Sequence, residues 1–582
     1  MKRGSNKNGA GVDQVRPGES IERACVPKLC GADIELGNFV LGVNSQGGTG
    51  YFASRALLRE IEGLPRVVSS GTLQCKCQNC RARRNFRNAE CSAGSDNDET
   101  SSGMSGGGFD PQDWGRKFLP TNGGCAYIDL DHLELCLPEV ISAFDHVACW
   151  HAMLRLARGA LTSANEKLPR DKQIQVLVNN SDGRGNSYGS HLNFLVTRRA
   201  WNNIFSRKIH YLLYLASFQV SSIIFTGQGK IGSENDTDAV EFQISQRADF
   251  FETLMGAQTT RHRPLVNSRD ESLCGHFSSS EEKELARLHV IFFDNTLAQV
   301  ASLLKVGVMQ IVLSMIEAES VNPDLVLDDP LEAVVSWSHD PTLQTRAQLT
   351  SGRELTAVEL QLLFLEDAKR FVAQGGCDRV VPRAVEIMVL WEDTLLKLLA
   401  GDWPALAKRL DWVLKLSILE QVLEHRPELN WNAPQLKHLD HAYSGLDSEG
   451  LYWAYERSGF VERVVTEERI EHFTENPPEE TRAWTRAMLL RALDPEVFDD
   501  VNWDSISFNL RTARGRTRKR RLEMANPLQF TKATTEHVFN EARSLNRLLD
   551  ALGAPRKDES AYKMRRGNSR GEQRQTLMRL AD

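Results

Sequence analysis

Two short stretches place oxygen- or nitrogen-bearing side chains two residues apart: Asp33 with Glu35, in the segment 31–37, and His191 with Asn193, at the end of the segment 179–193. Side chains at i and i+2 of a β-strand leave the same face, so each pair would project into one cavity. Carboxylates and an imidazole converging from separate strands suit Mg²⁺, which takes few protein ligands and completes its shell with phosphate oxygens. The expected chemistry is therefore at a phosphate.

A third acidic stretch is Tyr127-Ile128-Asp129-Leu130-Asp131-His132-Leu133-Glu134. Strand alternation puts Tyr127, Asp129 and Asp131 on one face. Asp129 lies between Ile128 and Leu130, and a charge among buried neighbours needs a partner. A carboxylate not consumed in holding metal is a candidate general base or nucleophile. Downstream, arginines recur in strand-end settings: Ser245-Gln246-Arg247, Asn267-Ser268-Arg269 and Arg287-Leu288-His289. Guanidinium groups fork onto phosphate oxygens and stay charged, so this series reads as a clamp for a nucleotide. The glycine-rich run 226–232 fits neither a Walker loop nor a dinucleotide fingerprint and reads as a tight turn.

The elements that must position these groups follow from periodicity. Strand-like runs fall at 126–130, 174–178, 191–196, 223–226, 240–245 and 288–293, with helical patterns at 140–160 and 202–216 between them. From Leu297 onward the pattern is mainly helical, with apolar stripes at 297–316, 357–372, 384–399 and 406–423. Strands early and helices late predict an α+β fold, an antiparallel sheet packed on helices. Residues 1–28 read as a polar N-terminal extension and 29–475 as the catalytic domain. Within it, 40–118 is an insertion rich in Cys, Arg, Gly and Ser. A break near Pro477-Pro478 opens a small C-terminal domain over 476–553, and 554–582 reads as a disordered basic tail. The basic run from Arg511 to Arg521 reads as a solvated loop.

Inside the insertion, Cys75, Cys77, Cys80 and Cys91 have spacing that suits either a structural zinc clip or free thiols. With 582 residues, 25% of them charged, and a net charge of -7, the composition is that of a globular protein with no global case for nucleic acid. The stretch 1–20 is polar with no apolar h-region, the uncharged run 209–229 is diluted by polar residues, and 306–316 is too short to span a bilayer. A soluble, cytoplasmic protein without a membrane partner is expected.

These motifs, in this order, resemble the family of PafA, the ligase of the prokaryotic ubiquitin-like protein Pup, and Dop, its deamidase/depupylase. The resemblance begins at Gly31. It continues through Leu304-Lys305-Val306-Gly307, Leu410-Asp411-Trp412-Val413, Gly450-Leu451-Tyr452, Pro477-Pro478-Glu479 and Trp503-Asp504-Ser505. It implies a glutamine-synthetase-like fold with an appended small domain. It also implies Mg²⁺ at Asp33, Glu35, Glu134, His191 and Asn193, a catalytic Asp129, and nucleotide or phosphate contacts from Arg247, Arg269 and His289. The cofactor would be ATP, or ADP plus phosphate. Two positions depart from the family pattern: the middle Glu of its H-E-N element is Leu192, and the Pro-His after its Arg-Asp-Glu element is Ser272-Leu273.

Within the family the local features lean towards Dop. Asp129 and His132 are separated by two residues, the insertion resembles an enlarged Dop loop, and the segments 182–185 and 242–247 are closer to Dop; Thr259-Thr260-Arg261 with Arg263-Pro264 is nearer the ligase. The expected activity is ATP-dependent deamidation, or isopeptide cleavage, of a Pup-like or ubiquitin-like modifier and its lysine conjugates. The alternatives are ligation of a modifier carboxylate to a substrate lysine, and a weakened enzyme that serves as a modifier-binding module.

Overall fold

In the computed structural model, residues 21, 24–42, 49–65, 116–271, 273–274, 284–511, 515 and 517–554 are described. The four clustered cysteines Cys75, Cys77, Cys80 and Cys91, the segment 1–20, most of the insertion and the tail after Ala554 lie outside them.

The centre of the molecule is an eight-stranded sheet built on β1 (Cys30–Leu41). Its other strands are β2 (Leu64–Pro65), β3 (Lys117–Phe118), β4 (Cys125–Asp129), β5 (His132–Cys136), β6 (Gln173–Leu177), β7 (Ser190–Thr197) and β8 (Leu285–Val290). The order is β8-β7-β1-β5-β4-β3-β2, every pairing is antiparallel, and β6 pairs with the far half of β1. Register partners share a face, so one sheet surface collects Ala32, Ile34, Leu36, Leu133, Leu135, Leu192, Phe194, Val196, Ala286 and Leu288, each 0–1% exposed. That apolar surface belongs to the main core with α2 (Ala143–Glu166) and α4 (Gln299–Glu317), which pack on each other and on the sheet, and with α1 (Gly50–Glu60), which packs on β1 and α2. Ser142 caps α2 by accepting from Phe144 N. α4 is long and apolar enough to cross a membrane, but every residue of it is buried in the protein core.

The opposite face is polar. It carries Tyr127, Asp129, His132, Glu134, Asp33, Glu35, His191, Asn193 and His289. The fold thus expresses the α+β reading directly: one set of alternating positions makes the core and the other makes a polar ladder.

Three local expectations are corrected. Residues 223–226 form a helical turn instead of a strand, continuing α3 (Ile209–Ser221). Ser217, Ser221, Ser222 and Thr226 each bond a carbonyl three or four residues back, so buried helix contacts override the strand propensity of Ile223-Ile224. The run 288–293 is strand only to Val290; Ile291, Phe292 and Phe293 remain buried but leave the sheet. The basic run from Arg511 is a hairpin, not a solvated loop. With β9 (Phe498–Val501), its strands β10 (Ser505–Arg511) and β11 (Thr517–Glu523) make a three-stranded antiparallel sheet. Arg520 is 3% exposed and pairs with Asp550 at 2.8 Å, so inward arginines mimic a solvated charge run in the sequence.

A second, smaller core gathers Leu489, Phe498, Ile506, Phe508, Leu522 and Leu549 together with Phe118, Cys125 and Cys136 of the main sheet. Glu139, just past β5, locks the two cores. It accepts from Arg482 at 2.8 Å and from Arg486 at 2.5 Å. Burial alone would raise its carboxyl pKa, but Arg486 and Arg482 outweigh that and bring it to about 2.

Candidate active site

On the polar face, β1 lies between β5 and β7, and the register fixes the ladder. His191, Asp33, Cys136 and Cys125 form one cross-strand row; Glu35, Glu134 and Tyr127 form the next. Carboxylate oxygens of Glu35, Asp129 and Glu134 lie within 4.8 Å of one another, as do ligand atoms of Asp33, Glu134 and Cys136. Asp129 therefore joins the acidic cluster rather than standing beside it. Asp131, expected on the same face, instead sits in the β4–β5 turn, where its carbonyl accepts from Ser54 Oγ at 2.7 Å and Asn38 Nδ2 at 3.2 Å. Preceding it, exposed Leu130 has φ 49°, a left-handed conformation that this tethered turn holds in place.

The cluster's protonation follows from crowding. Burial raises the pKa of Glu134 well above its ordinary value, and Asp33, Glu35 and Asp129 push it further, although Tyr127 Oη donates to it. Glu35 is also buried, but His191, the Gly189 amide, His132 and Arg247 overcome that and hold it charged. Gly189 N donates to Glu35 Oε2 at 2.6 Å, and His191 Nε2 lies 3.9 Å from Glu35 Oε1. Burial lowers the pKa of both His191 and His289, His289 the more; at His191 the neighbouring Glu35 pulls the other way.

Asn193 connects the histidines to the carboxylates. Its Oδ1 accepts from Arg287 Nη1 and from His289 Nδ1, each at 2.9 Å, while its Nδ2 donates to Asp33 Oδ2 at 3.1 Å. With its proton on Nδ1, His289 presents Nε2 as a lone pair, a geometry suited to a cation rather than to a phosphate oxygen. The donor set as a whole, crowded carboxylates with buried imidazoles, fits a hard divalent cation, whose charge would relieve the repulsion that otherwise keeps Glu134 protonated.

Arg247 stands at the edge of this cluster, 1% exposed. It donates through Nη1 to the Tyr188 carbonyl, while its buried Nε has no acceptor among the described residues. Burial and neighbouring Arg263 lower its pKa to about 10, against the pull of Glu35 and Asp294, so it is charged at neutral pH. An orphaned, charged donor here fits an anionic oxygen such as a phosphate. Arg269 is not gathered with it: it follows the Arg263–Asn267 strand, is half exposed, and pairs with Glu271 at 3.7 Å.

Three contributors were not picked out from the sequence as site residues. Gly189 is one: a Cβ there would approach His191 Nε2 and Glu35 Oε1 closer than 3.0 Å. Its signal was its place just before β7, two residues ahead of His191. Arg263 is another, donating to the Ser187 carbonyl at 2.5 Å and, with Glu35 and Arg247, sharing the local field. The third is Tyr188, 7% exposed, whose ring stacks on His132. Leu192 points away from all of these into the core, fully buried, so the departure from H-E-N leaves the polar ladder intact.

A two-faced antiparallel sheet with an acidic, cation-compatible ladder beside a buried arginine is an arrangement whose chemistry fits a divalent cation and a phosphate together. The family model described as Pup-ligase protein matches residues 64–507, and the chain belongs to that family. It is 35% identical over 433 residues to the depupylase of Acidothermus cellulolyticus, covering 74% of this chain and 82% of that protein. The Pup deamidase/depupylase of Mycolicibacterium smegmatis matches with the same identity and coverage. The Pup–protein ligase of Acidimicrobium ferrooxidans is 35% identical over 406 residues, 68% of this chain and 85% of that one. Among solved structures, the complex of Pup with its ligase PafA superposes with a TM-score of 0.69 at 22% identity, covering 94% of this chain and 95% of that chain. PafA in complex with ADP gives a TM-score of 0.61 at 24% identity, over 77% and 97%. The glutamine-synthetase-like expectation for the fold agrees with these neighbours.

Proposed function

We propose that this protein is a nucleotide-dependent amidohydrolase of the Dop type, which deamidates the C-terminal glutamine of a Pup-like modifier, cleaves its isopeptide bond to a substrate lysine, or does both. The observation that carries the reading is the convergence of Asp129 with Glu35 and Glu134 on the polar sheet face next to Arg247. The curated relatives named depupylase and Pup deamidase/depupylase support the hydrolytic direction.

The cofactor of this reading is Mg²⁺ with ATP, or with ADP plus phosphate; Asp33, Glu35, Glu134 and His191 would hold the metal, which would supply positive charge against phosphate and acyl oxygens, while Asn193, its Oδ1 taken by Arg287 and His289, orients His289 and Asp33 beside it. Arg247 orients the phosphate end through its unpartnered Nε–H. Asp129 acts on the amide carbon: as a nucleophile its carboxylate oxygen displaces ammonia or lysine amine, which leaves with a proton from solvent, and water then hydrolyses the resulting anhydride to regenerate the carboxylate; as a base it takes a proton from the attacking water and returns it to the leaving amine. Glu35, held charged by Gly189 N and neighbouring cations, keeps the local field fixed while charge moves to the acyl oxygen.

The test incubates the purified protein with Mg²⁺, ATP and two substrates: Pup ending in glutamine, and a Pup–lysine conjugate. Release of ammonia or free target, with less than one ADP per turnover, is expected. Stoichiometric ADP with conjugate formation would instead assign the ligase, which the equally identical ligase relative keeps as the second reading. Binding without either turnover would assign a modifier-binding module. Asp129→Asn should abolish turnover, a loss of about 10³-fold or more, while the dissociation constant for nucleotide changes little.

A further inference from the structure

We propose that Tyr188 is a positioning residue that couples nucleotide binding at Arg247 to the placement of the Asp129 hairpin. The proposal rests on reading Arg247 as the phosphate contact.

Each link is a contact of one buried residue, through its backbone or its side chain. At its backbone, the Tyr188 carbonyl accepts from Arg247 Nη1. At its ring, Tyr188 stacks on the His132 imidazole with centroids 4.4 Å apart and planes inclined by 28°. His132 is the cross-strand partner of Asp129 and closes the β4–β5 hairpin from the other side. Its Nδ1 lies 3.0 Å from the Leu36 carbonyl, which fixes the imidazole between β1 and the tyrosine. At its tip, Tyr188 Oη donates to Asn179 Oδ1, and the Ser181 carbonyl is 3.4 Å away.

The sequence makes room for this arrangement. A Cβ at Gly37 would overlap Tyr188 Oη and come within 2.8 Å of Asn179 Oδ1, so glycine on β1 is what admits the phenol. Tyr188 thereby reaches from the arginine, across the open face, to the hairpin carrying the catalytic carboxylate. The turn of that hairpin is held at two adjacent residues: Asn38 and Ser54 bind the Asp131 carbonyl, and the tyrosine ring holds His132 laterally. A phosphate that draws Arg247 into a new hydrogen bond moves or tightens the Tyr188 carbonyl, and the ring passes that change to His132 and Asp129. The coupling is a physical contact chain with a defined weakest link, the aromatic stack.

The test uses the full chain with saturating MgADP against MgCl₂ alone, reading hydrogen exchange in peptides that cover the hairpin from Cys125 to Cys136. Wild type is expected to show about fivefold slower exchange there on adding MgADP. Tyr188→Phe keeps the stack and should retain that protection. Tyr188→Leu keeps the backbone carbonyl but loses the stack; it should lose the protection while the calorimetric dissociation constant for MgADP stays within about threefold. Protection that persists in the leucine variant, or is absent from wild type, overturns the proposal, as does a phenylalanine variant that behaves like leucine. If Tyr188→Leu gives no cooperative melt, His132→Leu removes the less buried partner of the stack and is read by the same criteria. Turnover assays with the two Pup substrates are run beside it. A wild type that shows the protection but hydrolyses neither substrate refutes the hydrolase reading and leaves the coupling standing.

Discussion

At the residue scale the site depends as much on missing atoms as on present ones. Gly189 has an ordinary backbone conformation, so alanine there carries no φ penalty; the added methyl would press on His191 Nε2 and Glu35 Oε1. Those two atoms cannot retreat freely, because Glu35 is also bound by Gly189 N, and His191 packs edge-on against His289 at 5.0 Å. Gly189→Ala is expected to cut turnover by about tenfold or more and to weaken binding of divalent metal, with little change in melting temperature. Calorimetric titration of Mn²⁺ together with a melt checks it; wild-type metal affinity would remove Gly189 from the site. The sequence made the paired side chains legible because i and i+2 spacing is a local signal. Gly189 and Tyr188 were not legible because their roles depend on what faces them across β1, which one strand's pattern does not encode. Arg269 illustrates the converse: its residue type suits phosphate, yet its loop turns it towards Glu271.

At the scale of elements, the joint between β5 and the helix Ala483–Ala492 rests on one buried carboxylate and two arginines. Glu139 has a folded-state pKa of about 2 against an ordinary 4.5, with burial opposing and Arg486 and Arg482 producing the depression. For a group depressed on folding, the stabilisation is fully present above the unfolded-state value and is lost as pH falls through the folded-state value. The ion triad therefore contributes fully above about pH 5 and fades between about pH 4.5 and 2, a window worth roughly 3 kcal/mol at one pKa unit per 1.4 kcal/mol. Glu139→Gln should lower stability by about that amount at pH 7, and the gap to wild type should narrow as the pH drops below 4.5. Urea midpoints taken from pH 3 to 7 decide it; a constant gap would mean that packing, not charge, holds the joint. Long helices such as Ala357–Val372 were legible to the residue because their apolar stripe is sustained and Thr356 with Glu359 forms a capping box. The hairpin of β10 and β11 was not, because its inward positions include Arg518 and Arg520, and period-two alternation is invisible in a run of like charges.

At the scale of the whole molecule, the two cores share the catalytic sheet. Phe118 of β3 is fully buried, meets Trp503 edge-to-face at 5.4 Å, and belongs with Cys125 and Cys136 to the core that contains Ile506 and Phe508. The strands bearing Asp129 and Glu134 thus have the main core behind them and the smaller core against their open ends. The sequence located a break near Pro477-Pro478, but not this sharing, since β3 and β10 are almost four hundred residues apart and only the folded register brings them together. Phe118→Ala leaves a cavity where the cores meet and should cost about 3–5 kcal/mol. The loss is expected to be local first: amides of β10 and β11 should exchange faster, while those in the middle of α4, inside the main core, keep their protection. Because Cys125 and Cys136 flank the Asp129 hairpin, turnover should fall together with protection of the smaller core. Uniform loss of protection across both cores would mean that they unfold as one unit. Loss in the smaller core with undiminished turnover would mean that the appended layer stabilises the sheet without helping to shape its catalytic face.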